Sequence, residues 1–94
     1  MPPPPADPDT ARWFAEEVQP HESELRAYLR ARFSAHLDID DLVQETYARL
    51  LQAREQAPLR SAKAYLFATA RNAAFDVFRR RKIIGIDGLV EIDL

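Results

Sequence analysis

The 94-residue chain contains no cysteine. A disulfide framework and thiolate chemistry are therefore excluded. Glycine is nearly absent, with 2 residues, and five of the 7 prolines fall within the first eight positions. Turn formers are thus scarce beyond the start, which favours helices over short strands. No apolar run approaches the roughly 20 residues that cross a bilayer, and no signal-peptide pattern opens the chain, so a cytoplasmic location is expected. Histidine occurs twice, as His21 and His36, with no paired spacing and no cysteine beside it. No metal site and no cofactor are expected from such a set. GxSxG, HExxH and P-loop patterns are missing. Asp40 and Asp41 are adjacent, hence about 100° apart on a helix and badly placed as an acid/base pair. With no nucleophile–base constellation, the sequence does not read as an enzyme and points to no small-molecule substrate.

What is present fits one small domain with one core. Hydrophobic residues make up 47% and charged residues 30%, ordinary values for a globular protein. The net charge of -2 hides a sharp segregation. Residues 59–82 carry seven basic side chains (Arg60, Lys63, Arg71, Arg79, Arg80, Arg81 and Lys82) against Asp76 alone, a net of +6. Residues 1–58 have a net of -5 and residues 83–94 a net of -3. That asymmetry suggests two different partners, one of them polyanionic.

The pattern predicts an all-α, compact bundle of about four helices. Residues 1–9 form a proline-rich tail expected to be disordered. Asp9 or Thr10 can cap a first helix running to about Gln19, with Trp13, Phe14 and Val18 apolar; Trp13 reads as a core anchor. Pro20 suits the first turn of a second helix, over about 20–35, with Leu25, Tyr28, Leu29 and Phe33 on one face. After a connector at 34–37, the stretch from Asp38 to Arg54 places Ile39, Leu42, Val43, Thr46, Tyr47, Leu50 and Leu51 on one helical stripe. Asp38 caps it. Its other face carries Asp40, Asp41, Gln44, Glu45, Arg49 and Gln52. Residues 52–60 contain Pro58 and read as a loop. Ser61 caps the last long helix, over about 61–81, whose inward face is Ala62, Leu66, Thr69, Ala70, Ala73 and Val77. Residues 83–94 have no helical period and read as the start of an acidic linker.

The basic helix has an unusual outer side. Arg71, Asn72 and Phe75 lie about one turn apart, Phe67 and Phe78 are expected to join them outward, and Arg79 to Lys82 close the helix. Four basic residues in a row exceed what a helix C-terminus needs. Arg and Lys would grip phosphates, aromatic rings would stack on unpaired bases, and Asn would bond a base edge. Asn72 and Asp76, at i and i+4, are expected to bond each other. A competing reading keeps the basic helix as a solvated face of a helical protein-interaction module with no DNA reading.

DIDDLVQETYARLL, followed after the Pro-containing loop by RSAKAYLFATARNAAFDVFRRRK, resembles region two of an extracytoplasmic function sigma factor, and within that family its iron-uptake, FecI-like subgroup. The likeness runs from about Phe14 to Lys82. It implies a domain, residues 10–82, that binds RNA polymerase core and recognises and melts the minus-ten promoter element in transcription initiation. By position, Asp41, Gln44, Glu45 and Arg49 would dock on the clamp helices of the beta-prime subunit. The loop from Ala53 to Arg60 would cup a flipped base, Phe67 and Asn72 would line its pocket, and Arg60, Lys63, Arg71, Phe75, Arg79 and Arg80 would hold the single-stranded non-template strand. The resemblance also implies an anti-sigma partner, often membrane-tethered. A complete family member continues into a helix-turn-helix domain; ending at Leu94, the chain is expected not to start transcription normally by itself.

Overall fold

The computed structural model describes residues 7–33 and 37–84, with side chains to Arg80. The proline tract before Asp7, the connector at 34–36 with His36, and the stretch from 85 to 94 lie outside the described residues.

The first helix, α1 (Pro8–Glu17), starts earlier than the sequence suggests. Its cap is Asp7, whose Oδ2 accepts from the Thr10 backbone N–H and from the Thr10 hydroxyl, both at 2.9 Å. The reason is Pro8: its missing N–H would be an orphan in the first turn anyway, so the helix begins there rather than at Asp9 or Thr10. A 3-10 turn, Gln19–His21, places Pro20 in its opening positions and leads into α2 (Glu22–Phe33). Leu25 and Leu29 of α2 are fully buried.

Helix α3 (Ile39–Gln56) opens where its stripe predicts. The Asp38 carboxylate accepts from the Asp41 backbone N–H at 3.1 Å. Leu42, Val43, Thr46, Tyr47 and Leu50 are buried. The buried Thr46 hydroxyl donates to the Leu42 carbonyl at 2.7 Å, so no polar atom is left stranded there. The loop expected from residue 52 shrinks, because α3 runs on to Gln56 and stops only at an extended Ala57. A residue before proline is driven out of the helical region, and Ala57 precedes Pro58. Ser61 then caps α4 (Ala62–Ile84), its hydroxyl accepting from the Ala64 N–H at 3.2 Å. Helix α4 passes the expected end at 81 and takes in Ile83 and Ile84. Among the described residues every regular element is helical.

Helix α4 packs chiefly on α3, and less extensively on α2. Its buried side is Leu66, Thr69, Ala70, Ala73, Ala74 and Phe78. The three alanines are short enough to let the neighbouring helices come close. Phe78 does not point outward as expected: it is only 8% exposed and its ring lies 5.7 Å from that of Phe33. It follows Ala70 and Ala74 at intervals of four, so it continues the inward row. Phe75 is half-buried, edge-on to Phe33 at 5.8 Å. At the other end of the core Phe14 of α1 meets Tyr47 edge-on at 4.9 Å. Trp13 packs against this core from its rim, with the Arg54 guanidinium 4.4 Å over its ring.

Candidate functional site

The polar residues of α3 do not lie on a flat face. Asp38, Asp41, Gln44, Glu45 and Arg49 line one wall of a cleft of about 600 Å³ between α3 and α4. The opposite wall is Ala73, Val77 and Arg80 of α4, and Leu37 and Leu42 close the floor. The structure thus gathers Asp41, Gln44, Glu45 and Arg49 in one place. It sets Arg80 beside them. Such a cleft offers carboxylates and an amide to a basic or hydrogen-bonding partner, with a short apolar strip for its stem.

The cleft is tied to α4 by charge. Arg49 Nε donates to Glu45 Oε2 at 2.9 Å, and Arg49 Nη2 meets Asp76 Oδ2 at 3.0 Å. The second oxygen of Asp76 is taken by Arg79. The bond from Glu45, with a contribution from Asp76, outweighs partial burial and holds the Arg49 guanidinium above its usual pKa. The expected Asn72–Asp76 bond is not formed; Asp76 instead receives Arg49 on one oxygen and Arg79 on the other.

A second network fixes α3 on α2. The buried Tyr47 hydroxyl donates to Glu22 Oε1 at 2.9 Å, Glu22 Oε2 receives Arg26 Nε at 3.0 Å, and Arg26 Nη1 reaches Asp40 at 2.6 Å. Burial, then the bond to Glu22, raises the Tyr47 phenol far above its ordinary value. Burial works to raise the Glu22 carboxyl as well, but the bonds from Tyr47 and Arg26 together prevail and keep it low. The bond from Arg26 also lowers the pKa of Asp40. The acidic end of α3 is thereby oriented before any partner arrives.

The outer side of α4 divides in two. Phe67 is half-buried, edge-on to Tyr28 at 5.4 Å. Asn72 is exposed. Five residues on a helix turn through about 140°, so these two side chains leave α4 on different sides. Lys63 is exposed and paired with Glu24 at 3.2 Å. Arg60, in the loop before α4, and Arg71 are exposed and have no ion-pair partner among the described residues. The side chains of Arg81 and Lys82 lie outside the described residues.

Sequence reasoning missed Tyr65. Among the described residues it is the exposed large hydrophobic side chain, at 42%. Tyr65, Asn72 and Arg79 recur every seven residues, which drifts by only about 20° per step and sets them on one exposed stripe. That spacing was the signal in the sequence. An aromatic ring, an amide and a guanidinium in file match what an unpaired strand offers: base face, base edge and phosphate.

Among the described residues no group of three or more His, Cys, Asp or Glu side chains could hold a metal ion. No described helix is long and apolar enough to cross a membrane. The family model described as sigma-70 region 2 matches residues 18–83. Among curated proteins the chain is similar to the ferric citrate uptake sigma factor FecI of Escherichia coli (strain K12), 25% identical over 63 residues. That match covers 67% of this chain and 36% of the relative, so the chain spans about a third of its length. No solved structure matches. The family match begins at Val18, so α1 lies outside it.

Proposed function

Since the chain belongs to the sigma-70 region 2 family, we propose that it binds RNA polymerase core through the α3–α4 cleft and reads and melts the minus-ten element along α4. The observation that carries the reading is the separation of the two surfaces on one scaffold. The cleft presents Asp41, Gln44, Glu45 and Arg49, suited to basic side chains of the beta-prime clamp helices. The outer stripe presents Tyr65, Asn72 and Arg79, flanked by Arg60 and Arg71. Bases released from the duplex stack on Tyr65 and bond Asn72, while the arginines hold phosphates. Each captured base contributes about 1–3 kcal/mol toward the open form, so melting proceeds by a shift of equilibrium without covalent chemistry. Phe67 supports the stripe from beneath by its packing on Tyr28, and Phe75 does so by its packing on Phe33.

The protein acts in the cytoplasm, on promoters of iron-uptake genes, as the name of its relative suggests. An anti-sigma protein, membrane-tethered in this reading, covers the same cleft, so inhibitor and polymerase exclude each other. A stable ternary complex of the two with this chain would argue against that. The central test is a fork-junction promoter probe bound to polymerase core carrying this chain. Asn72→Ala is expected to reduce discrimination between bases by about 1–3 kcal/mol, because a base-edge contact is lost. Arg79→Ala is expected to weaken all sequences alike. The assignment fails if Asn72→Ala keeps full selectivity while Arg79→Ala loses it.

A further inference from the structure

Helix α3 has a weakly held end. In its last turn Glu55 and Gln56 are exposed, and the half-buried Ala53 offers only a methyl. The last carbonyls of a helix have no intrahelical partner, so such an end frays unless a side chain ties it down. Arg54 is that side chain. Its guanidinium lies 4.4 Å over the ring of Trp13 on α1. Its Nε is buried and has no hydrogen-bond partner among the described residues. A buried donor left unpaired is costly. The stack on the ring, not a hydrogen bond at Nε, therefore keeps Arg54 in place. Arg54 Nη2 also comes within 3.8 Å of Asp9 Oδ2, but that carboxylate is 80% exposed and adds little. Trp13 is a firm plate, because Phe14 beside it and Val18 are buried in the core.

Beyond Arg54 the chain has few holds before α4. Leu59 packs half-buried on the core, and Ser61 caps α4. Ala57, Pro58 and Arg60 are exposed. The near end of the 53–60 segment thus depends on α1, which precedes the family match at Val18. Resting on the reading above, in which the domain captures unpaired bases and this segment cups one of them, we propose that Trp13 and Arg54 form a latch that holds the segment in its base-cupping shape, with Arg54 as the positioning residue. Both act through the segment and not on DNA. An ordered segment accepts the preferred base. A frayed one leaves the complex to phosphate contacts, which carry no base information. Apparent affinity for the preferred base falls with the ordered fraction. One ring–guanidinium contact at a partly exposed site corresponds to about two- to fivefold in that equilibrium. The loss should fall on one base position alone.

The test uses polymerase core carrying the full chain, with fork-junction probes in which each unpaired minus-ten position holds every base in turn. In Trp13→Ala discrimination at one position is expected to fall about two- to fivefold, with the other positions unchanged. Arg54→Gln keeps α1 and its ring intact and should lose the same amount at the same position. The double variant should lose no more, because both changes break one contact. Trp13→Phe leaves the guanidinium a ring and should restore most of the preference. A merely structural role would lower the occupancy of every probe alike and leave each preference intact. Equal loss on all probes, full discrimination in Arg54→Gln, or losses that multiply in the double variant overturn the proposal. A second readout needs no DNA. The Ala57 N–H, bonded to the Ala53 carbonyl at 3.2 Å, should exchange with solvent about two- to fivefold faster in Arg54→Gln, while the Leu50 and Leu66 amides keep their protection. If the parent chain shows no base preference at any position, the reading of base capture falls. The latch is then judged by the Ala57 amide alone, and an unchanged exchange refutes it.

Discussion

Replacing Tyr47 by Phe removes one oxygen and keeps the ring. The edge-on contact with Phe14 at 4.9 Å therefore survives. What is lost is the donor to Glu22 Oε1 at 2.9 Å. A hydrogen bond to a charged group is worth about 1.5–3 kcal/mol net. The Glu22 side chain is 38% exposed, so water can take the place of the phenol, and a cost of about 1 kcal/mol is expected. With a urea dependence near the low end for small chains, about 1 kcal/mol per molar, the unfolding midpoint should fall by roughly 1 M. The same bond carries a pH signature. The Glu22 carboxyl is held below its ordinary value of 4.5. Its share of the stability is therefore fully present above that value and is lost as pH falls through the lower folded one. Without the phenol the carboxyl returns toward its ordinary value, so Tyr47→Phe should cost most at neutral pH and less in acid. Urea titrations followed by circular dichroism at both pH values decide the matter. An equal cost at the two pH values, or none at neutral pH, would refute this account of how α3 is held on α2.

Leu50 is fully buried on α3, and Leu50→Ala should destabilise by about 2–5 kcal/mol, read as a lowered thermal midpoint. A loss under 1 kcal/mol would mean that the α3 seam collapses around the gap. The pair Gln44→Ala and Glu45→Ala should weaken binding to the beta-prime clamp helices in a calorimetric titration while leaving the helical spectrum unchanged; full affinity would remove the cleft from the docking surface. Arg71→Ala should flatten the salt dependence of oligonucleotide binding by about 0.7 in log–log slope, the value for one phosphate on a single strand. An unchanged slope would show that Arg71 touches no phosphate.

Much of this molecule can be read without coordinates, for reasons that differ by element. Helix α3 is legible because Leu42, Val43, Tyr47 and Leu50 follow one stripe and Asp38 sits at its start. Ser61 is legible as a cap because side-chain capping is a local event. Helix α4 is harder: Leu66, Phe67, Ala70, Phe75, Val77 and Phe78 spread over about half of its circumference. Its inner side is decided by where α2 and α3 lie, and Phe78 was assigned outward for that reason. The Arg49–Asp76 bond joins residues of different helices, so no spacing rule reaches it; a rule based on i and i+4 gave Asp76 to Asn72 instead. The acidic face of α3 was visible as a list of residues, but its shape as a cleft depends on Ala73, Val77 and Arg80 opposite.

The lone tryptophan gives the domain a built-in optical probe. Trp13 lies under the Arg54 guanidinium at 4.4 Å, and Arg54 sits in the last turn of α3, at the start of the 53–60 segment expected to cup a base. Its emission should therefore report whether α1 is seated on that end of α3, with no label added. It should also sense movements of the loop while staying blind to the far end of α4, where Arg79 and Arg80 lie.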